Sequence, residues 1–298
     1  MRNQRELTLL VGDNPFHGIS HLSQDRARLR GDTATFADNA ANLVLTALDN
    51  GADGFMFSVS DETLSILRII SELEGSRQLR LYALAPYAYE YVRLAAQLGG
   101  LSGLAKKFAK QIVMSGNVRA IAAGLKGLIR ADLASLMKTY LIYEISRVKS
   151  SVGKQGILES VLLHEVITDM ALALDFDWLF KSYIDFLLKM KIKPGFETRN
   201  FAYLVNKVNE WNLDLDKVII AAPFNKIGFL MNPSREECEK ASASLPRPNI
   251  VAMSLLAAGY LKPRDAMEYL RRVPNINASV VGVSKLQQAE ETFRILKS

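Results

Sequence analysis

The sequence predicts a single (β/α)8 TIM barrel that occupies residues 1–298. Short apolar or β-branched runs recur eight times, and each is followed by a segment in which apolar residues repeat about every 3.6 positions. Runs such as KVIIAA and ASVVGV lack polar alternation, which is typical of parallel strands covered by helices. Eight such units in a chain of this length favour a closed barrel over an open, doubly wound sheet.

The predicted elements follow one another evenly along most of the chain. Strands are expected at residues 8–12, 54–58, 79–85, 160–164, 194–198, 217–222, 249–254 and 279–283. Two helix starts have capping-box spacing, Ser234 with Glu237 and Ser284 with Gln287. The turn after the first strand, GDNPFHG, lacks the GxGxxG spacing of an open dinucleotide-binding fold, which again favours the barrel.

One interval, between the third and fourth strands, is much longer than the others. Residues 87–158 include the amphipathic runs AIAAGLKGLIR and LASLMKTYLIYEISRVK, so a helical insertion is predicted in the third βα loop. Within it, residues 101–154 carry ten lysines and arginines and two acidic residues, a net charge of +8 in a chain of net charge +6. Loops of this kind lie over the carboxyl end of a barrel, so the insertion is interpreted as a basic lid.

The composition excludes several classes of protein. Hydrophobic residues make up 49% and charged residues 23% of the chain, as in a globular protein. The single cysteine, Cys238, excludes an intrachain disulfide, argues against a thiolate zinc site and indicates a reducing, cytoplasmic location. Neither a signal peptide nor a membrane span is expected from the apolar runs. Nucleic acid is not an expected partner, because no compact basic and aromatic recognition module is present.

Polar residues follow most of the predicted strands, at the face where TIM barrels hold their active sites. The catalytic candidates among them are His17, His164, Glu165, Glu197 and Asn225. Asp13, Asn14, Asp61, Glu62 and Lys226 occupy equivalent positions after their strands. A small-molecule enzyme with its site at this face is therefore predicted, and the basic insertion favours a phosphorylated or otherwise anionic substrate.

Three other interpretations of the sequence stay open: a metal site, a Schiff-base lysine and a binding surface. His17, His21 and His164, with a carboxylate from Asp13, Glu165 or Glu197, would suit a divalent metal in a hydrolase, lyase or isomerase. In the alternative without metal, the three histidines bind ligand, backbone or solvent separately. Lys226 would serve as a Schiff-base amine if the fold buried it. Finally, residues 101–154 would provide a non-enzymatic surface for acidic membranes or a partner helix.

The last fifty residues resemble the carboxyl-terminal quarter of the aldo-keto reductase superfamily. The family's seventh-strand pattern SPLAxGxL and eighth-strand pattern GxSxxxQxxEN are matched by Ser254, Leu256, Ala257, Gly259 and Leu261, and by Gly282, Ser284, Gln288 and Glu291. The resemblance implies that NADP or another phosphate-bearing ligand binds near strand eight, through Ser254, Gly259, Ser284, Lys285, Gln288 and Glu291. A helix amino end at Ser284 suits an anion, although a capping box without ligand explains the same residues.

Further upstream the resemblance is partial. His164 matches the family's substrate-orienting histidine, Thr198 and Asn200 are similar to its serine and asparagine, and Phe224 stands where its tyrosine precedes an asparagine. The family's catalytic aspartate, tyrosine and lysine have no counterpart in FMFSVSDE or LYALAPY. The resemblance thus implies the fold and an oxidoreductase-like enzyme, without assigning a reaction.

Overall fold

The strands close into one parallel barrel in chain order, which confirms the predicted fold class. A computed structural model describes residues 7–17, 33–73, 78–86, 133–153, 156–247 and 249–298. The strands are β1 (Thr8–Gly12), β2 (Gly54–Ser58), β3 (Leu79–Leu84), β4 (Gly156–Leu163), β5 (Lys193–Glu197), β6 (Ile219–Pro223), β7 (Ile250–Met253) and β8 (Ile276–Gly282). β8 pairs with β1 in register from Thr8 with Ala278 to Gly12 with Gly282, and this pairing closes the barrel.

Helices connect the strands and form the outer layer. The described residues form α1 (Thr33–Asp49), α2 (Asp61–Leu73), α3 (Leu133–Val152), α4 (Glu165–Ala173), α5 (Asp177–Lys189), α6 (Phe201–Glu210), α7 (Arg235–Ser244), α8 (Pro263–Arg272) and α9 (Leu286–Lys297). Short 3-10 turns occur at Asn14–His17, Leu215–Lys217 and Ala257–Gly259. The predicted start of α7 is confirmed, since the Ser234 hydroxyl accepts the Glu237 N–H. Among the described helices, none is long and apolar enough to cross a membrane.

Two hydrophobic cores result from the alternation of side chains along each strand. On β1, Leu10 points into the barrel, where it packs with Met56, Leu162 and Ile219. Its neighbours Leu9 and Val11 face the helices instead and belong to the larger outer core. Each fully buried side chain of this size contributes about 1.5–3 kcal/mol of hydrophobic free energy, so both layers hold the strand ends in fixed positions.

The long interval between β3 and β4 contains a regular helix of the barrel. α3 packs against α2 and α5, with Leu141, Ile145 and Val148 buried. This part of the predicted insertion is therefore a member of the outer helix layer and not a lid. β4 also begins at Gly156, four residues earlier than predicted, because Leu79 of β3 pairs with Gly156. Residues 87–132 lie outside the described residues, so a lid formed by them stays a prediction.

Candidate functional site

A cavity of about 510 Å³ opens at the carboxyl ends of the strands. Its volume lies within the usual range for small-molecule sites. The inner part is apolar and includes Met56, Leu84, Met253 and Val280. Its polar lining includes Asp13, Glu165, Glu197 and Arg199, together with Ser254, Gly259, Ser284 and Gln288 from the β7 and β8 ends. The structure thus brings predicted catalytic and predicted cofactor residues to one cavity.

Glu197, the last residue of β5, is a buried carboxyl group that lines this cavity and is only 9% exposed. Its Oε2 accepts the main-chain N–H of Glu165 at 3.1 Å. Its other oxygen, Oε1, has no hydrogen-bond partner within the described part of the chain. Burial, reinforced by the negative charges of Glu165 and Asp13, raises the pKa of Glu197 to about 8. Glu197 is therefore a neutral acid at pH 7, with one oxygen available to a ligand.

Glu165 and Arg199 form an ion pair at the edge of the cavity. Arg199 donates Nε to Oε2 of Glu165 at 2.6 Å and Nη2 to Oε1 at 2.9 Å. This two-bond geometry fixes the plane of the guanidinium. The Glu165 side chain is only 12% exposed. Glu165 is thus joined to Glu197 through its main chain and to Arg199 through its side chain.

Asp169 of α4 holds the loop that carries Arg199. Its carboxylate accepts hydrogen bonds from the Thr198 hydroxyl, the Arg199 main-chain N–H and the Asn200 side-chain amide. Burial raises the pKa of Asp169, while these bonds oppose that rise. Sequence reasoning missed both Asp169 and Arg199. The polar triplet TRN after β5 was a signal, but its partners Asp169 and Glu165 are 29 to 34 residues earlier in the chain and are recognisable only in the fold.

Asp13 and His164 occupy buried positions beside the carboxyl groups. Asp13 is 3% exposed, and its Oδ2 accepts the main-chain N–H of Ser58 at 2.6 Å. His164 is the N-cap of α4, where its Nδ1 accepts the Val166 N–H at 3.3 Å. Burial lowers the pKa of His164, and the charges of Glu165 and Asp13 oppose this effect. His164 is therefore neutral at pH 7, and the described residues that line the cavity do not include it.

Asn225 has a structural position instead of the catalytic one predicted. It is fully buried, its Nδ2 donates to the Phe229 carbonyl, and its Oδ1 accepts the Phe229 N–H, both at 2.8 Å. These two bonds close the loop after β6, which explains why a polar residue ends that strand. The Lys226 side chain is exposed, so the burial required for a Schiff-base role is absent. Asp61 is not among the described residues that line the cavity. It begins α2 and forms an ion pair with Arg147.

The predicted cofactor residues divide into two groups. Ser254, Gly259, Ser284 and Gln288 line the cavity, whereas Lys285 and Glu291 are exposed and do not belong to its described lining. The Ser284 and Gln287 capping box is wrong. α9 begins at Leu286 with Lys285 as its N-cap, and the Ser284 N–H donates to Oε1 of Gln288 at 3.0 Å. Gln287 donates instead to Glu291.

The segment after β7 has a strained backbone where it borders the cavity. Ser254, Ala257 and Ala258 have φ values of 51°, 45° and 59°, in the left-handed region that residues with a side chain rarely adopt. Ser254 and Ala258 both line the cavity. Such strain costs about 1–3 kcal/mol per residue and is concentrated at binding sites in many proteins. No residue type predicts this strain, since none of the three is a glycine.

The predicted metal site involves residues outside the described part of the chain. His21 lies there, and so does the side chain of His17, whose main chain belongs to the turn Asn14–His17 directly after β1. Within the described residues, no group of three or more histidine, cysteine or acidic side chains is arranged to hold a metal ion. The site formed by His17, His21 and His164 thus stays a prediction.

Comparisons with known proteins agree with the architecture. No protein-family model matches the sequence, and no curated protein matches it in sequence. Two solved structures from Pseudomonas aeruginosa, both provisionally described as aldo-keto reductases, superpose with a TM-score of 0.58. They are 13% and 12% identical to this chain, and each match covers 97% of it and 89% of the other chain. The chain therefore has an aldo-keto-reductase-like TIM barrel fold, and the likeness concerns the fold alone.

Proposed function

We propose that this protein is a small-molecule oxidoreductase that uses NADP and that Glu197 is its proton donor. The observation that carries the proposal is the shared cavity. A buried, neutral carboxyl group with one unbonded oxygen lines the same space as Ser254, Gly259 and Ser284, where the family resemblance places the dinucleotide.

Reduction of a carbonyl group requires an acid, because the oxygen gains negative charge as hydride reaches the carbon. In the aldo-keto reductases a tyrosine beside a lysine has this role. Here Leu84 ends β3 at the cavity and Ser58 ends β2, so that pair is missing from the described mouth. Glu197 supplies a proton instead: its Oε1–H bond breaks, an O–H bond forms on the substrate oxygen, and solvent returns the proton afterwards.

The residues on the β7 and β8 side fit a phosphate-bearing cofactor. NADPH, when bound, supplies the hydride. Ser284 offers a hydroxyl group, which also contacts Oε1 of Gln288, and the next residue, Lys285, is the N-cap of α9, which has no side-chain cap. Positive charge and free N–H groups at a helix start favour phosphate binding. Gly259, which has a φ of 88°, leaves room for close approach to the main chain.

The test is cofactor binding followed by turnover. NADPH is titrated into the wild type while the melting temperature and the protein fluorescence are recorded, and stabilisation is expected. A panel of small aldehydes and ketones, including anionic and phosphorylated ones, is then assayed by loss of NADPH absorbance. Glu197→Gln should bind NADPH normally and lose most of the turnover. Absence of binding at millimolar NADPH would remove the dinucleotide, and full activity in E197Q would remove the proton donor.

The remaining interpretations depend on residues outside the described ranges. A metal-dependent hydrolase, lyase or isomerase needs His17 and His21, and elemental analysis of protein purified without an affinity tag tests it. Surface binding through residues 101–154 is tested by salt-sensitive sedimentation with anionic vesicles. The cavity of about 510 Å³ at the strand ends favours a small-molecule substrate over both.

A further inference from the structure

The loop that joins β6 to α7, residues 224–234, brings one apolar side chain to the cavity. Leu230 lines the cavity and is half-buried. Its backbone has a φ of 60°, in the left-handed region that glycine adopts easily and leucine adopts rarely. A leucine at this position has a conformation that its own side chain disfavours, so the surrounding loop must hold it there.

The residues on both sides of Leu230 are fixed by contacts within the loop. The Asn225 side chain binds both the N–H and the carbonyl group of Phe229, each at 2.8 Å. Met231 is buried, its N–H donates to the Gly228 carbonyl at 3.1 Å, and its sulfur atom accepts the Asn225 N–H at 3.4 Å. The chain therefore has little freedom at Leu230, and these contacts maintain its strained conformation.

The position of β6 in the barrel places Leu230 between the two parts of the proposed site. The neighbours of β6 are β5, which ends at Glu197, and β7, which is followed by Ser254. Pro223, the last residue of β6, and Met253, its partner on β7, are apolar and also line the cavity. A substrate held between the proposed acid and the proposed cofactor residues therefore meets apolar side chains with the part that does not react.

We propose that Leu230 determines the size of the apolar end of the substrate, and that the substrate class is carbonyl compounds with a short hydrocarbon body. The inference rests on the proposed function for the reaction, whereas the fit of a hydrocarbon chain is measurable by binding alone. Because the backbone on both sides of Leu230 is fixed, its side chain does not move aside for a longer body. Apolar pockets of fixed shape discriminate by about 10- to 200-fold per methylene group.

The test compares substrates of different length on the same protein sample. Straight-chain aldehydes from propanal to decanal are reduced with saturating NADPH by the wild type and by the Leu230 variants. In Leu230→Ala the ratio of kcat/KM for octanal to kcat/KM for butanal should rise at least about tenfold, mainly through KM. Leu230→Met keeps the volume of the side chain and should keep the wild-type ratio. Ile227→Ala is the matched control, because Ile227 is an exposed apolar residue of the same loop and is not among the described residues that line the cavity.

An unchanged ratio in L230A overturns the inference, because the ratio does not depend on how much of the sample is folded. Leu230→Gly creates at least the same space with a residue that suits the left-handed backbone, so it decides the matter if L230A does not fold. If the wild type reduces no aldehyde, the proposed function fails, and binding of butanamide and octanamide is compared by ligand-observed NMR instead. Stronger octanamide binding to L230A and L230G than to the wild type supports the role of Leu230. Unchanged binding, or no amide binding to any of these proteins, overturns it.

Discussion

The main-chain N–H of Glu165 binds Oε2 of Glu197 over 3.1 Å, which links the start of α4 to the end of β5. This bond satisfies one oxygen of a carboxyl group that is otherwise buried beside two acidic residues. A carboxylate in such a place is costly, so the group stays protonated at neutral pH. This arrangement lowers the stability of the fold at high pH, where the buried group would have to ionise.

The raised pKa of Glu197 predicts that stability decreases as the pH rises from about 4.5 to about 8. In this window the folded protein keeps a proton on Glu197 that the unfolded chain has lost. The free energy of unfolding therefore falls by about 1.4 kcal/mol per pH unit from this group alone. Urea unfolding between pH 5 and 9 measures the slope.

Glu197→Gln is the control for that slope, because the glutamine stays neutral at every pH. The difference in unfolding free energy between the two proteins should move in favour of E197Q as the pH rises, and level off above about pH 8. A difference that stays constant over the whole range would show that Glu197 ionises normally in the folded state.

Turnover should have the opposite pH dependence from that of an enzyme that uses an ionised carboxylate. A proton donor must carry its proton, so kcat/KM should fall tenfold per pH unit above about pH 8. Kinetics from pH 6 to 10, with NADPH saturating, give the profile. Glu197→Asp should lower the rate but retain a limb of the same sign, and a rate that rises through this range would contradict the assignment.

Much of the fold was predictable because strand and helix patterns are local. β4 shows where locality fails: its first residues, from Gly156, join the strand because they pair with Leu79, Arg80 and Leu81 of β3, and Glu159 lies at a shift in that register. The site was only partly predictable. Glu165 and Glu197, which follow or end a strand, lie at the cavity as predicted from their positions, whereas Arg199 and Asp169 were missed because their partners come from other parts of the chain. The neutrality of Glu197 depends on burial, which no short motif encodes.

Asn225 is predicted to matter for stability and not for the chemical step. Asn225→Asp keeps the acceptor for the Phe229 N–H but places a carboxylate oxygen against the Phe229 carbonyl, inside a fully buried site. Losing the donor there should cost about 2–4 kcal/mol of unfolding free energy. Urea unfolding measures this loss, with Lys226→Ala as the exposed neighbouring control. An N225D protein that is fully stable yet inactive would restore the catalytic role.

Gly282 is predicted to be the less replaceable of the two glycines that face each other across β1 and β8. A methyl group at Gly282 would lie 2.8 Å from Cδ and Cγ of Pro15, in the short turn that follows Asp13. Gly282→Ala should therefore destabilise the fold by about 1–3 kcal/mol. Gly12→Ala is the matched comparison, because the closest atom to its methyl group belongs to the rotatable side chain of Val280, at 3.0 Å, and the others lie at ordinary contact distances. Equal melting temperatures for the two variants would be inconsistent with the turn packing on β8.

Ser284 is the position where cofactor binding and stability should respond in opposite directions. A carboxylate in Ser284→Asp lies near the positive end of the α9 dipole, which has no side-chain cap, so the melting temperature should stay the same or rise slightly. The same charge would repel the phosphate of NADPH, and the dissociation constant should increase at least about tenfold, which corresponds to about 1.4 kcal/mol. Calorimetric titration with NADPH gives the affinity, and Ser284→Ala separates loss of the hydroxyl group from added charge. If S284D binds NADPH as tightly as the wild type, the phosphate does not lie at this helix start, and the β7 and β8 side of the cavity belongs to another ligand.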